Sequence, residues 1–199
     1  MKNIVVYCGS NLGNTPEYYE AAIGMGKAIA TQCGCLVYGG GKIGLMGTVA
    51  DATLAAGGEV IGVIPTFLRE KEVAHTGLTR LIETPDMTTR KNKMIELADG
   101  FIAMPGGLGT YEELFEVLSQ AQLRLHAKPI GLLNINGFFD VLIEMMRQTA
   151  AAGFMPSENM NLLCVDDHAE GVLQKMRNYH FVDAQKWITP SWQKAGQPA

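Results

Sequence analysis

The sequence predicts an α/β fold with a doubly wound parallel sheet, and three observations carry that expectation. Short β-branched runs alternate with helix-length amphipathic stretches along most of the chain, the pattern of a parallel sheet covered on both faces, a three-layer α/β/α arrangement. Glycine-rich sequence follows several of the runs, as strand-to-helix turns require. No internal repeat or low-complexity linker divides the 199 residues, so a single domain is the economical reading.

Taken in order, the expected strands are Asn3 to Cys8, Leu36 to Tyr38, Val60 to Ile64, Arg80 to Glu83, Phe101 to Met104, Ile130 to Leu133 and Leu162 to Val165, each short and rich in Val, Ile, Leu or aromatics. Helical periodicity places helices between and after them at Pro16 to Gln32, Leu45 to Ala56, Met87 to Ala98, Tyr111 to Leu125, Phe138 to Ala152 and Ala169 to Tyr179. The domain is expected over residues 1–180. Residues 181–199, with Trp187, Pro190 and Gly196, lose that periodicity and read as a polar surface tail or docking arm.

Hydrophobic residues make up 47% of the chain and charged residues only 18%, more apolar surface than a lone monomer needs, so a homo-oligomer is expected. A net charge of -4 and a pI near 5.6 argue against partners such as nucleic-acid polymers and anionic membranes, while leaving room for a small anion at a local positive site. The apolar runs are far below the roughly 20 residues of a membrane span, and a soluble, cytoplasmic protein is expected.

Cys8, Cys33, Cys35 and Cys164 are too few to staple a domain of this size and read as reduced, buried thiols. His75, His126, His168 and His180 sit singly along the chain, without an H-E-x-x-H arrangement. Neither a metal nor any other cofactor is expected.

In a doubly wound sheet, ligands bind beyond the carboxyl ends of the strands. Three strands end there in glycine-rich sequence: Cys8-Gly9-Ser10-Asn11-Leu12-Gly13, Gly39-Gly40-Gly41-Lys42-Ile43-Gly44-Leu45-Met46-Gly47, and Pro105-Gly106-Gly107-Leu108-Gly109-Thr110. Each taken singly is explained by a tight turn. Three at one sheet edge favour a phosphate or nucleotide site, because glycines expose successive N–H groups and let an anion approach a helix N-terminus. Gly39, Gly41 and Gly44 match G-x-G-x-x-G, yet the acid that should bind ribose about 20 residues on is missing: the next strand ends Val63-Ile64-Pro65. Nicotinamide chemistry is therefore disfavoured. A Walker motif and a G-x-S-x-G elbow are both lacking.

Two further segments place charge among apolar residues. At 100° per residue, Met87, Met94, Ile95, Leu97 and Ala98 form one stripe that also takes in Arg90 and Lys91. Snorkelling past an apolar surface explains such cations, and so does an anion held at the site; Arg90 in the first turn, against the helix dipole, favours the second reading. Thr110-Tyr111-Glu112-Glu113 has the form of a capping box with Thr110 at the N-cap. Glu113 equally suits a partly desolvated carboxylate behind a phosphate turn. Ser10, Glu72, His75 and Ser119 are weaker candidates for the same cleft.

With Thr89-Arg90-Lys91 upstream, the segment Pro105-Gly106-Gly107-Leu108-Gly109-Thr110-Tyr111-Glu112-Glu113 reads as PGGxGTxxE and resembles the LOG family of cytokinin riboside 5′-monophosphate phosphoribohydrolases. The likeness extends through Cys8-Gly9-Ser10, the Gly39 to Gly47 loop, Glu72-Val73-Ala74-His75, Gln120 to Leu123 and Lys128-Pro129, to about residue 180. It implies a Rossmann-like homodimer that splits an N6-modified adenosine 5′-monophosphate into free base and ribose 5-phosphate, with Arg90 and Glu113 as its catalytic pair. Substrate contacts are implied for Glu72, Lys91, Ser119 and the run Gly107, Leu108, Gly109, Thr110, Tyr111 and Glu112. The glycine turns add Gly9, Ser10, Gly40, Gly41, Met46 and Gly106 as candidate substrate contacts. The older label of lysine decarboxylase finds no support, since no lysine has the context of a pyridoxal phosphate Schiff base.

A buried carboxylate beside the ribose suits this chemistry, since breaking the C–N bond develops oxocarbenium-like charge on the sugar. Two alternatives stay open: turnover of AMP or another purine monophosphate, and a nucleotide-binding or carrier protein without turnover. The Arg90 and Glu113 pair favours the enzyme, because a pure binder needs only the glycine turns.

Overall fold

A computed structural model describes residues 1–69 and 74–184. Within them the chain forms β1 (Asn3–Tyr7), α1 (Pro16–Gln32), β2 (Cys35–Tyr38), α2 (Gly44–Ala55), β3 (Glu59–Pro65), β4 (Arg80–Thr84), α3 (Met87–Leu97), β5 (Gly100–Ala103), α4 (Leu108–Gln122), β6 (Ile130–Leu133), α5 (Asp140–Ala151), β7 (Leu163–Asp166) and α6 (Ala169–Arg177). Short 3₁₀ turns follow β3 and β6 and precede β7.

All strands are parallel, in the order β4-β3-β2-β1-β5-β6-β7. The period of two along each strand divides the core. Ile4, Val6, Ile102 and Met104 meet α1, α2 and α6 on one face; Val5, Tyr7, Phe101 and Ala103 meet α3, α4 and α5 on the other. The expected three-layer, doubly wound α/β fold is therefore present. On the first face α1 and α2 pack closely because Gly26 has no side chain: a Cβ there would lie 2.6 Å from Val49 O.

The chain winds one way from β1 to β4 and the other way from β5 to β7, so the topological switch lies between β1 and β5. In doubly wound sheets the ligand crevice lies at such a point, beyond the strand ends. The first and third glycine turns leave from those two strands, and the second leaves from β2 beside them.

One helix start differs from expectation. α4 begins at Leu108, three residues before Tyr111, with Gly107 as its N-cap. Thr110 is thus a buried residue inside the first turn, not the N-cap, and the Thr110–Glu113 capping box does not form. Gly106 explains the shift: a Cβ there would collide with Thr110 Oγ1, so the turn closes tightly onto the helix. The four cysteines are free; Cys8, Cys35 and Cys164 are buried, and Cys33 is half-buried. Burial pushes the Cys35 thiol up to about 11.

After α6 the chain continues along the body. Tyr179 packs on one core face, Phe181 and Val182 pack on the other, and Asp183 pairs with Arg124 at the end of α4. Trp187, Pro190 and Gly196 of the expected tail lie outside the described residues.

Candidate active site

The three glycine turns interlock. Gly9 N–H donates to Pro105 O at 3.0 Å, and Met46 N–H donates to Gly9 O at 3.3 Å, tying the first turn to the third and the second. Gly44 adopts φ +68° where any Cβ would strike the Ser10 and Asn11 backbone, so the first and second turns touch. This interlocking brings Gly9, Ser10, Gly40, Gly41, Met46 and the Gly106–Thr110 segment to one edge of the sheet.

The helices behind these turns, α1, α2 and α4, carry no side-chain N-cap bond. In α4 the first intrahelical bond runs from Tyr111 N–H to Gly107 O at 3.2 Å, leaving the preceding amides ahead of the helix. That end is suited to an anion by both its donors and its dipole.

By contrast, α3 is capped: Asp86 accepts from Thr89 N–H at 2.7 Å, and this bond holds its carboxyl below the ordinary value. Asp86 places a negative charge ahead of the first turn, opposing the helix dipole there. Arg90, only 6% exposed, points inward from that turn. Its Nε donates to Val63 O at 3.1 Å and its Nη2 to Gly39 O at 3.3 Å, while Nη1 lies 3.7 Å from Met87 Sδ.

Glu113, partly buried, stands on α4 above the end of β1. Its charge acts on the two residues there. Burial raises the Tyr7 phenol well above its ordinary value, with the Glu113 and Glu116 carboxylates raising it further and Arg90 opposing them. Burial also raises the Cys8 thiol, with Glu113 adding to the effect. Arg90 and Glu113 are therefore assembled around the same strand end, next to the topological switch point.

Lys91 faces α4. It pairs with Glu112 at 2.7 Å and Glu116 at 3.2 Å, and its ammonium pKa is raised chiefly by the Glu112 hydrogen bond. This bridge joins α3 to α4 directly beside Arg90 and Glu113. Leu108 is 89% exposed at the start of α4, whereas Tyr111 is half-buried against Phe139. His75 is buried and sits against the second turn, donating its N–H to Gly40 O at 3.0 Å.

Ser119 is not brought to the turns. It lies on the exposed face of α4, roughly 13 Å along the helix from Thr110 at 1.5 Å per residue, in a groove of about 170 Å³ with Phe115, Met145 and Met155. Glu72 lies outside the described residues.

Sequence reasoning missed Tyr7, Glu116 and Asp86. Tyr7 reads as ordinary core, since its ring stacks on Phe101 at 6.1 Å. Asp86, ahead of Met87 at the start of a periodic run, carried an N-cap signal. Among the described residues, Asp166, Asp167 and His168 have potential metal-ligating atoms within 4.8 Å of one another. Lys175 already pairs with Asp166 at 2.8 Å, and Asp167 and His168 are exposed.

A family profile described as "Possible lysine decarboxylase" matches residues 46–176. The cytokinin riboside 5′-monophosphate phosphoribohydrolase of Rhodococcoides fascians is 45% identical over 178 residues, covering 89% of this chain and 90% of that protein. The chain belongs to the LOG family. A probable LOG-family phosphoribohydrolase of Oryza sativa subsp. japonica is 42% identical, covering 89% of this chain and 78% of its own length. Among solved structures, the molybdenum cofactor binding protein of Rippkaea orientalis shares the fold, with a TM-score of 0.66 at 22% identity over 89% of this chain and 97% of that one. In this LOG-family chain the profile-matched region contains Arg90, Lys91, Glu113 and the whole of the third glycine turn, and it begins at Met46 near the end of the second.

Proposed function

We propose that this protein is a nucleotide N-glycosidase that hydrolyses N6-modified adenosine 5′-monophosphates to the free base and ribose 5-phosphate. The observation that carries the reading is the convergence of buried Arg90 and partly buried Glu113 on the end of β1, between open helix N-termini. The names of the Rhodococcoides and Oryza relatives support the substrate class.

In this mechanism the Gly106, Gly107, Leu108, Gly109 and Thr110 segment holds the 5′-phosphate against the N-terminus of α4. As the bond between the anomeric carbon and the purine nitrogen lengthens, the Glu113 carboxylate stabilises the positive charge developing on the ribose. Water adds its oxygen to the anomeric carbon, and the purine leaves with the bonding pair and gains a proton. Arg90 positions the substrate and balances charge. Gly9, Ser10, Gly40, Gly41 and Met46 complete the cradle, with Glu72, Lys91, Tyr111 and Glu112 as further substrate contacts. No cofactor or metal takes part.

The working unit is a homodimer built on the 1–180 domain, in the cytoplasm. Phe115 on α4 and Leu123 just past its end, with Val141 and Met145 on α5, expose apolar surface; Val141 is 81% exposed. No helix among the described residues is long and apolar enough to cross a membrane, so this face does not belong to a helical span. A Val141→Asp variant is expected to sediment as a monomer where the unchanged protein sediments as a dimer.

The test of function is release of free base from isopentenyladenosine 5′-monophosphate, its riboside and AMP. Release from the modified monophosphate alone supports the reading. Silence with every monophosphate refutes it, faster release from AMP shifts the substrate class, and equal release from the riboside refutes the phosphate cradle.

A further inference from the structure

His75 and Asp51 form a pair that the proposed chemistry leaves unused. The imidazole side chain is 5% exposed, and its Nε2 lies 2.8 Å from Asp51 Oδ1, whose side chain is 62% exposed on α2. The other ring nitrogen settles the tautomer: Gly77 N–H donates to Nδ1 at 3.0 Å, so Nδ1 is bare and Nε2 carries the proton given to Asp51. A neutral imidazole is thus held at both ends.

Its backbone faces the second glycine turn. His75 N–H donates to Gly40 O, Ala74 bridges to Gly41, and Gly40 sits at φ +80° with no side chain to anchor it. One peptide earlier, Gly39 O accepts from Arg90 Nη2. Two successive carbonyls are therefore committed to different partners, Gly39 O to the guanidinium and Gly40 O to His75. Rotating the second peptide away from His75 would swing the first away from Arg90.

We infer that His75 and Asp51 are positioning residues for Arg90: Asp51 orients the imidazole, His75 fixes the Gly39–Gly41 turn, and that turn holds the guanidinium at the strand ends. The inference rests on the proposed catalytic role of Arg90. Neither residue touches substrate. Their effect is on where a charge sits, and misplacing a reacting group by about 1 Å costs on the order of 100-fold in rate.

The test uses Asp51→Ala, Asp51→Asn and His75→Asn. The last retains an acceptor for Gly77 N–H while cutting the link to Asp51. Two readouts are taken per folded enzyme: kcat and KM for base release from isopentenyladenosine 5′-monophosphate, and the Arg90 Nε–H resonance in ¹⁵N-labelled protein. Asp51→Ala and His75→Asn are each expected to lower kcat roughly tenfold, move KM less than about threefold and shift the Arg90 resonance. Asp51→Asn, which keeps an acceptor oxygen, is expected to stay within about threefold of the unchanged enzyme. The double variant Asp51→Ala with His75→Asn should be no slower than the worse single variant, because both cut one link.

A lower melting temperature with unchanged kcat and an unmoved Arg90 resonance would overturn the inference and leave the pair as a simple loop clamp. Should the unchanged protein release no base at all, the proposed function fails, and the resonance still decides whether the pair positions Arg90.

Discussion

The two ends of the sheet use charge in different ways. At the amino end, Asp99 ahead of β5 accepts Lys2 and Asn3 N–H at 2.6 and 2.9 Å, and Lys128 ahead of β6 donates to Ile95 O at 2.7 Å. These groups tie chain segments together. At the carboxyl end, Arg90 is drawn almost wholly out of solvent onto Val63 O and Gly39 O, beside Glu113 and behind the glycine turns. Burying a charge is costly, and stability alone is served as well by apolar packing. The contrast teaches that the amino end spends its polar groups on holding the fold, whereas the carboxyl end gathers buried charge of the kind the proposed reaction requires.

That division predicts which substitutions separate activity from stability. The largest effect is expected for Arg90→Ala, with turnover of isopentenyladenosine 5′-monophosphate falling roughly 100-fold or more, read as kcat per folded enzyme. Next comes Gly39→Ala. A Cβ there would collide with Arg90 Nη2 and lie 3.1 Å from Met46 Sδ, so the guanidinium must move while the rest of the sheet keeps its contacts. Turnover should fall about tenfold with a melting temperature lowered by no more than a few degrees. Equal losses of activity and stability in these two variants would erase the contrast.

The smallest effect belongs to the amino end and appears only as pH is varied. His126 Nε2 bonds Val117 O at 3.0 Å and Nδ1 accepts Lys128 N–H at 3.2 Å, so the ring is neutral. Desolvation by burial lowers its pKa, and Lys128 lowers it further against the opposing Val117 bond. The unfolded chain therefore binds the proton more readily. The associated stability is present above about pH 6.5, the ordinary histidine value, and is lost as pH falls through the lower folded value. Thermal melts between pH 8 and 5 should show a decline in the unchanged protein that His126→Gln reduces by roughly 2–4 °C, with turnover at pH 8 little altered. Identical declines in both proteins would remove His126 from the account.

Much of this division was legible in the amino-acid sequence. Alternating runs and helical stretches specify a layered parallel sheet, and the glycine turns mark the carboxyl edge on which the proposed site is built. Helical periodicity also turned Arg90 inward, because one residue step on a helix is a fixed angle. It could not separate Arg90 from Lys91, since a stripe on α3 says nothing of the Glu112 and Glu116 carboxylates that α4 brings across. The start of α4 was misplaced for a related reason. Thr110-x-x-Glu113 carries a local capping signal, whereas the true N-cap, Gly107, has no side chain to announce itself. Tyr7 was invisible as a site residue because a strand-end aromatic in an apolar run reads as core, and only the packed helices reveal the charges around it.

Glu113 is where the account is most exposed. The decisive measurement is kcat of Glu113→Gln on isopentenyladenosine 5′-monophosphate, per folded enzyme, with the melting temperature taken alongside. A fall of roughly 100-fold or more with the fold intact is predicted, because the amide keeps the shape and removes the charge that stabilises the ribose cation. Turnover within a few-fold of the unchanged protein would contradict a catalytic role for this carboxylate and leave the carboxyl end of the sheet as a binding site alone.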